Sequence, residues 1–132
     1  MKQQITTNKL AVPNGHFSQA TTIEARGKLI FISGMTARTA DGGIAGIGNV
    51  EVQTRQVCEN LKAAAEAAGG SLDDIVRVDV YVRNMEHFPI IHKVRREYFQ
   101  EPVPASTMVE VSKMTSPDYL IEISAIAILP NG

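Results

Sequence analysis

Glu122 stands between Ile121 and Ile123 in a stretch, residues 120–129, that is otherwise free of charge. A carboxylate so placed is costly to bury unless paired or hydrogen-bonded, and enzymes use such groups as general acids and bases. An edge position with a local partner is the plainer alternative. A second cluster is Pro104-Ala105-Ser106-Thr107-Met108, where a turn delivers two hydroxyl residues to the start of a strand. Amide and hydroxyl donors at such a point can hold a carboxylate or a water. Ser106 is a poor nucleophile candidate, because neither a nucleophile elbow nor an obvious base accompanies it. Gly15-His16-Phe17-Ser18-Gln19 reads as a loop with an aromatic lid and polar tips, and Ile32-Ser33-Gly34 ends an apolar strand where a glycine lets a ligand approach the backbone. His92 follows Phe88 by one helical turn, at the border of a pocket or on the surface. The basic residues Arg77, Arg83, Lys93, Arg95 and Arg96 are interspersed with Asp79, Glu86 and Glu97, the pattern of a solvated face. His16, His87, His92 and the lone Cys58 have no metal-ligand spacing, so neither a metal nor another cofactor is expected.

Two helices and several strands must position these groups. From 50 to 68 the apolar residues Val50, Val57, Leu61, Ala64, Ala65 and Ala68 recur near a 3.6-residue period, and Gly69-Gly70 supplies the stop. A second helix over about 85–99 follows a possible Asn84 cap, with Pro89 in its first turn. Period-two alternation marks a strand at 75–83, with Val76, Val78, Val80 and Val82 on one face. Strands at 21–25 and 28–33 flank Arg26-Gly27 as a hairpin, and strands at 106–113 and 120–129 complete the order ββ-αβ-αββ. Glycines at 42, 43, 46 and 48 mark a mobile loop.

This order predicts one α+β domain over 1–132, with both helices on one face of a mixed sheet. The last strand is apolar on both faces, Ile121, Ile123, Ala125 and Leu129 against Ile126 and Ile128, so a two-layer monomer would leave apolar surface in water. Oligomerisation is expected to bury it. A net charge of -1 gives no broad attraction to nucleic acid or an anionic membrane. No apolar run approaches the roughly 20 residues that span a bilayer. The single cysteine and an N-terminus, Met1-Lys2-Gln3-Gln4-Ile5, without the apolar stretch of a secretory signal point to the cytoplasm.

Taken in order, these segments resemble the Rid family of reactive intermediate/imine deaminases, also called YjgF-like and, in older usage, L-PSP endoribonucleases. The resemblance covers 15–129. It rests on Gly15-His16-Phe17-Ser18-Gln19, where the family usually has Gly-Pro-Tyr-Ser-Gln, on Ile32-Ser33-Gly34, Asn60-Leu61, Ala68-Gly69-Gly70 and 78–82, and then on Pro104-Ala105, Val109-Glu110-Val111, and Ile121-Glu122-Ile123 before Ala125-Ile126-Ala127. It implies a chorismate-mutase-like fold of the bacillus type and a homotrimer whose three clefts, lying between subunits, take a small-molecule substrate. In members that deaminate imino acids, an arginine after Pro-Ala clamps the substrate carboxylate and the later glutamate positions the attacking water. Glu122 matches that glutamate, whereas Ser106 replaces the arginine, Phe17 a tyrosine, Met108 a small residue such as cysteine, and His92 an asparagine.

The implied function is hydrolytic deamination of an enamine or imine from amino-acid or aromatic, aminomuconate-like catabolism. Glu122 is then catalytic, with Ser106, Thr107, Met108, Phe17, Ser33, Gly34 and His92 contacting substrate. A serine lacks the planar two-donor fork, a loss on the order of 2 to 5 kcal/mol if buried. Simple imino acids should therefore react poorly and Ser106→Arg should help, unless Arg38 or Lys113 of a neighbouring subunit holds the carboxylate. The alternative is a non-catalytic trimer that binds a ligand or a protein. Endoribonuclease activity rests on the family's older name alone.

Overall fold

The computed structural model describes residues 2–24 and 26–130. The elements are β1 (Gln3–Ile5), β2 (Ala20–Thr22), β3 (Lys28–Met35), α1 (Val50–Ala67), β4 (Ile75–Val82), α2 (Phe88–Tyr98), β5 (Ala105–Glu110) and β6 (Ile121–Leu129). Asn49 caps α1 by accepting from the Val52 amide, and the single turn Met85–His87, capped by Asn84, leads into α2. Pro89 sits in the first turn of α2, where its missing N–H costs nothing.

Four strands form the main sheet in the order β3-β6-β4-β5. β6 runs antiparallel to both neighbours, while β4 and β5 are parallel and joined by α2 as a crossover, so the sheet is mixed as expected. One face is covered by both helices. Val78, Val80, Val82, Ile121, Ile123 and Ala125 meet Val57, Leu61, Ala65, Ile91 and Val94 there in a continuous core. Leu61 and Ile91 have no exposed surface, and burying a side chain of that size contributes about 1.5 to 3 kcal/mol. A bidentate Arg55–Glu97 pair at 2.9 and 3.0 Å links the exposed edges of α1 and α2.

The other face is uncovered in the single chain. Leu29 and Phe31 lie on it with 57% and 72% of their surface in water, beside half-buried Ile126. Among the described residues no helix is long and apolar enough to cross a membrane.

Several local expectations are corrected. The Arg26-Gly27 turn joins two sheets and not a hairpin: β2 pairs with the short β1, which the sequence reading missed, and β3 pairs with the nine-residue β6. Gly27 makes the passage at φ 95°, with the Leu129 carbonyl where a Cβ would stand. Ala25, assigned above to the first strand of that hairpin, lies outside the described residues. In β4 a bulge leaves Val76 without a partner, so Ile75 replaces it on the buried face. β5 ends at Glu110; the Val111 amide still donates to Val82 O at 2.8 Å, and the chain leaves the sheet edge after it. The glycine-rich loop over 41–48 is held by hydrogen bonds from Thr39 N–H to Gly43 O and from Ala45 N–H to Ala37 O, both 2.9 Å.

Candidate functional site

Alternation along β6 sends Ile121, Ile123 and Ala125 to the helices and Glu122 and Ser124 the other way. Glu122 is opposite Tyr81 of β4 and half-buried. On its other side β3 carries a bulge in which Ser33 and Gly34 together oppose Ser124. The missing side chain of Gly34 is what admits the carboxyl: a Cβ there would lie 2.1 Å from Glu122 Oε2 and 2.8 Å from its Cδ. The space expected for a ligand at Gly34 is thus taken by the protein's own carboxylate. Among the described residues Glu122 makes no salt bridge. It opens onto a shallow depression shared with Thr36, Arg38, Asn60, Thr115 and Tyr119.

Side chains of α1 fix both walls of this depression. Fully buried Gln53 donates from Nε2 to Gly46 O and Asp118 O, and its Oε1 accepts from the Leu120 amide at 2.9 Å. The segment entering β6, and with it Glu122, is therefore clamped to the helix. Asn60 donates to the carbonyls of Thr36 and Arg38 at 2.9 and 2.8 Å, holding the strand exit beyond Gly34.

A second site forms where the 15–19 loop meets α2 and β5. The Ser18 amide donates to Pro104 O at 3.2 Å and its hydroxyl to Val103 O, which stitches the loop to the start of β5. Phe17, Phe88, His92, Arg95, Ser106 and Met108 then line a cavity of about 280 Å³. His92 stacks on Phe88 at 5.2 Å, and its Nδ1 accepts from the His16 amide at 3.4 Å. Burial, aided by the positive charges of Arg96 and Arg95, holds its pKa below the ordinary value, so the ring is neutral near pH 7 with its proton on Nε2.

Arg95 overturns the solvated-face expectation. It is 4% exposed, its Nη2 donates to Ser106 Oγ at 2.9 Å, and its Nε is buried without a partner. The sequence did carry the signal: Arg95 follows Phe88 by seven residues and Ile91 by four, on the buried stripe of the helix. A guanidinium thus stands at Ser106 after all, supplied by α2. Arginine introduced at 106 would add a second cation to it, which removes the reason to expect a gain from Ser106→Arg.

The other expected contacts divide between the two places. Met108 and Phe17 join Ser106 and His92 in the cavity, and Gly34 joins Glu122. Thr107 and Ser33 are exposed and belong to neither place, Thr107 Oγ1 accepting from Arg77 Nη2 at 2.7 Å. Ser106 and Glu122 are not brought together within one chain. β4 separates their strands, a span of roughly 10 Å. They are also offset along β4, opposite Val78 and Tyr81, and face opposite sides of the sheet.

Comparison with known proteins matches residues 7–129 to the family described as Endoribonuclease L-PSP. A RutC family protein of Pyrococcus horikoshii is 45% identical over 127 residues, covering 96% of this chain and 98% of that one. A 2-iminobutanoate/2-iminopropanoate deaminase of Dermatophagoides farinae is 30% identical over 128 residues, 97% of each chain. Among solved structures, a Rid-family protein of unknown function from Yersinia pestis superposes with a TM-score of 0.88 at 29% identity, covering 97% of this chain and 98% of that one.

Proposed function

We propose that this chain, which belongs to the Endoribonuclease L-PSP family, catalyses hydrolytic deamination of a small enamine or imine. The observation that carries the reading is the Glu122 carboxylate, seated over Gly34 without a salt bridge among the described residues and open to solvent on one side. Such a group is free to take a proton from water. The deaminase named among the relatives supports the same chemistry.

In the proposed reaction an enamine first tautomerises to the imine. Water held by Glu122 attacks the imine carbon: a C–O bond forms, the C=N π electrons move to nitrogen, and the water proton passes to the carboxylate. Glu122 then returns that proton to the amine nitrogen. The hydroxyl proton then passes by way of the same carboxylate to the nitrogen, the C–N bond breaks with its electron pair on nitrogen and the oxygen forms C=O, leaving a ketone and ammonia.

The acid/base group and the cavity lie apart in one chain, which favours a cleft made by two. A cyclic trimer that sets Glu122 of one subunit against the Phe17, His92 and Ser106 cavity of the next would complete the site. It would also bury Leu29 and Phe31. Phe17, Phe88 and Met108 give that cleft apolar walls suited to a larger or less polar body than the shortest imino acids. Endoribonuclease activity finds less support, since Arg55, Arg77 and Lys93 are engaged by Glu51, Glu97 and Asp79.

Imines generated in place by an amino acid oxidase should disappear faster with the protein than without it, read as loss of the semicarbazide adduct. Mixing subunits inactivated at Glu122 with subunits inactivated in the Phe17 cavity, then reassembling them, should restore part of the activity if the cleft is shared. An active monomer would overturn the shared cleft, and absence of turnover across imines of varied size would favour a non-catalytic ligand-binding role.

A further inference from the structure

Resting on the reading of the Phe17 cavity as the place of the substrate, we propose that Arg95 and Ser106 together receive the substrate's carboxylate. The guanidinium of α2 would thereby do from the helix what the start of β5 lacks the side chain to do.

Arg95, Ser106 and His92, which line this cavity beside Asn14 and His16, can each donate. Arg95 is 96% removed from solvent, with Nη2 on the Ser106 hydroxyl and Nε unpartnered. Ser106 Oγ accepts that bond, which leaves its own proton for a ligand. The neutral ring of His92 presents Nε2–H, its Nδ1 being occupied by the His16 amide. No carboxylate lines the cavity and, among the described residues, none forms a salt bridge with Arg95.

The titratable group facing Arg95 from α1 is Cys58, and burial pushes its thiol up to about 12, so it stays uncharged. A lone buried cation is expensive to maintain and is retained where an anion repays it. The planar fork of Arg95 suits the two oxygens of a carboxylate, and Phe17, Phe88 and Met108 supply walls for an apolar or planar body behind it.

Titration calorimetry on the full chain tests this with 2-oxobutanoate, its methyl ester and inorganic phosphate. The acid should bind roughly 30-fold or more tightly than the ester, and that preference should vanish in Arg95→Met. The melting temperature of Arg95→Met should rise, because the substitution removes an unpaired buried charge, whereas an arginine kept for structure would lower it. Should Arg95→Met fail to fold, Arg95→Lys keeps the charge without the fork and should weaken the acid at least about tenfold. Equal binding of acid and ester, tighter binding of phosphate, or a preference that survives these substitutions would overturn the assignment. Glu122→Gln should leave carboxylate binding intact, so a protein that binds the acid without turning over imines loses only the deaminase reading. Turnover of neutral imines by a protein that ignores the acid would do the reverse.

Discussion

Gly34→Ala separates the position of Glu122 from its presence. The added methyl would stand 2.1 Å from Oε2, 2.8 Å from Cδ and 3.1 Å from Cγ of Glu122, against an ordinary contact of about 3.5 Å or more. The carboxyl must therefore retreat by more than about 1 Å, a misplacement that can cost about 100-fold in rate. Stability should scarcely change. Gly34 is not among the glycines at positive φ, so alanine fits the backbone, and the group in the way is the mobile end of a half-buried side chain. The entropic gain of Gly→Ala, about 0.4 to 1 kcal/mol, offsets part of the crowding. Thermal melts with the oxidase-coupled imine assay would show a melting temperature within a few degrees of wild type and kcat/KM down about 100-fold. A folded Gly34→Ala variant with undiminished kcat/KM would refute the idea that the seat of Glu122 matters to the chemistry.

Gln53→Ala should destabilise the protein by about 2 to 4 kcal/mol in denaturant melts, because it strips partners from two carbonyls and one amide at a fully buried position. Cys58, buried and with its thiol pushed up to about 12, should resist a thiol reagent at pH 8 in the native state and react fully once the protein is unfolded.

How much of this could be read from the chain depended on distance. α1, β4 and β6 were legible because period and composition are local, and Gly69 marks the helix end just where the sequence placed it. The 26–27 turn was not. Whether β3 pairs with β2 or with β6 is decided by partners about a hundred residues apart. Glu122 was conspicuous as a charge among apolar neighbours, but its fit to Gly34 depends on a bulge that shows only when β3 and β6 are paired. Arg95 was misread because its charge was weighed above its place on the buried stripe of α2, and its hydroxyl partner lies on another element. The separation of Ser106 from Glu122 follows from strand order and face, which no motif encodes.

The most direct measurement is the rate of imine hydrolysis by Glu122→Gln set against wild type, with folding and assembly of both checked by thermal melt and light scattering. The amide keeps the shape of the side chain over Gly34 but cannot take the water's proton, so the expected result is a folded trimer whose kcat falls by about 100-fold or more. A folded Glu122→Gln variant that turns over imines at the wild-type rate would contradict the assignment of Glu122 as the base.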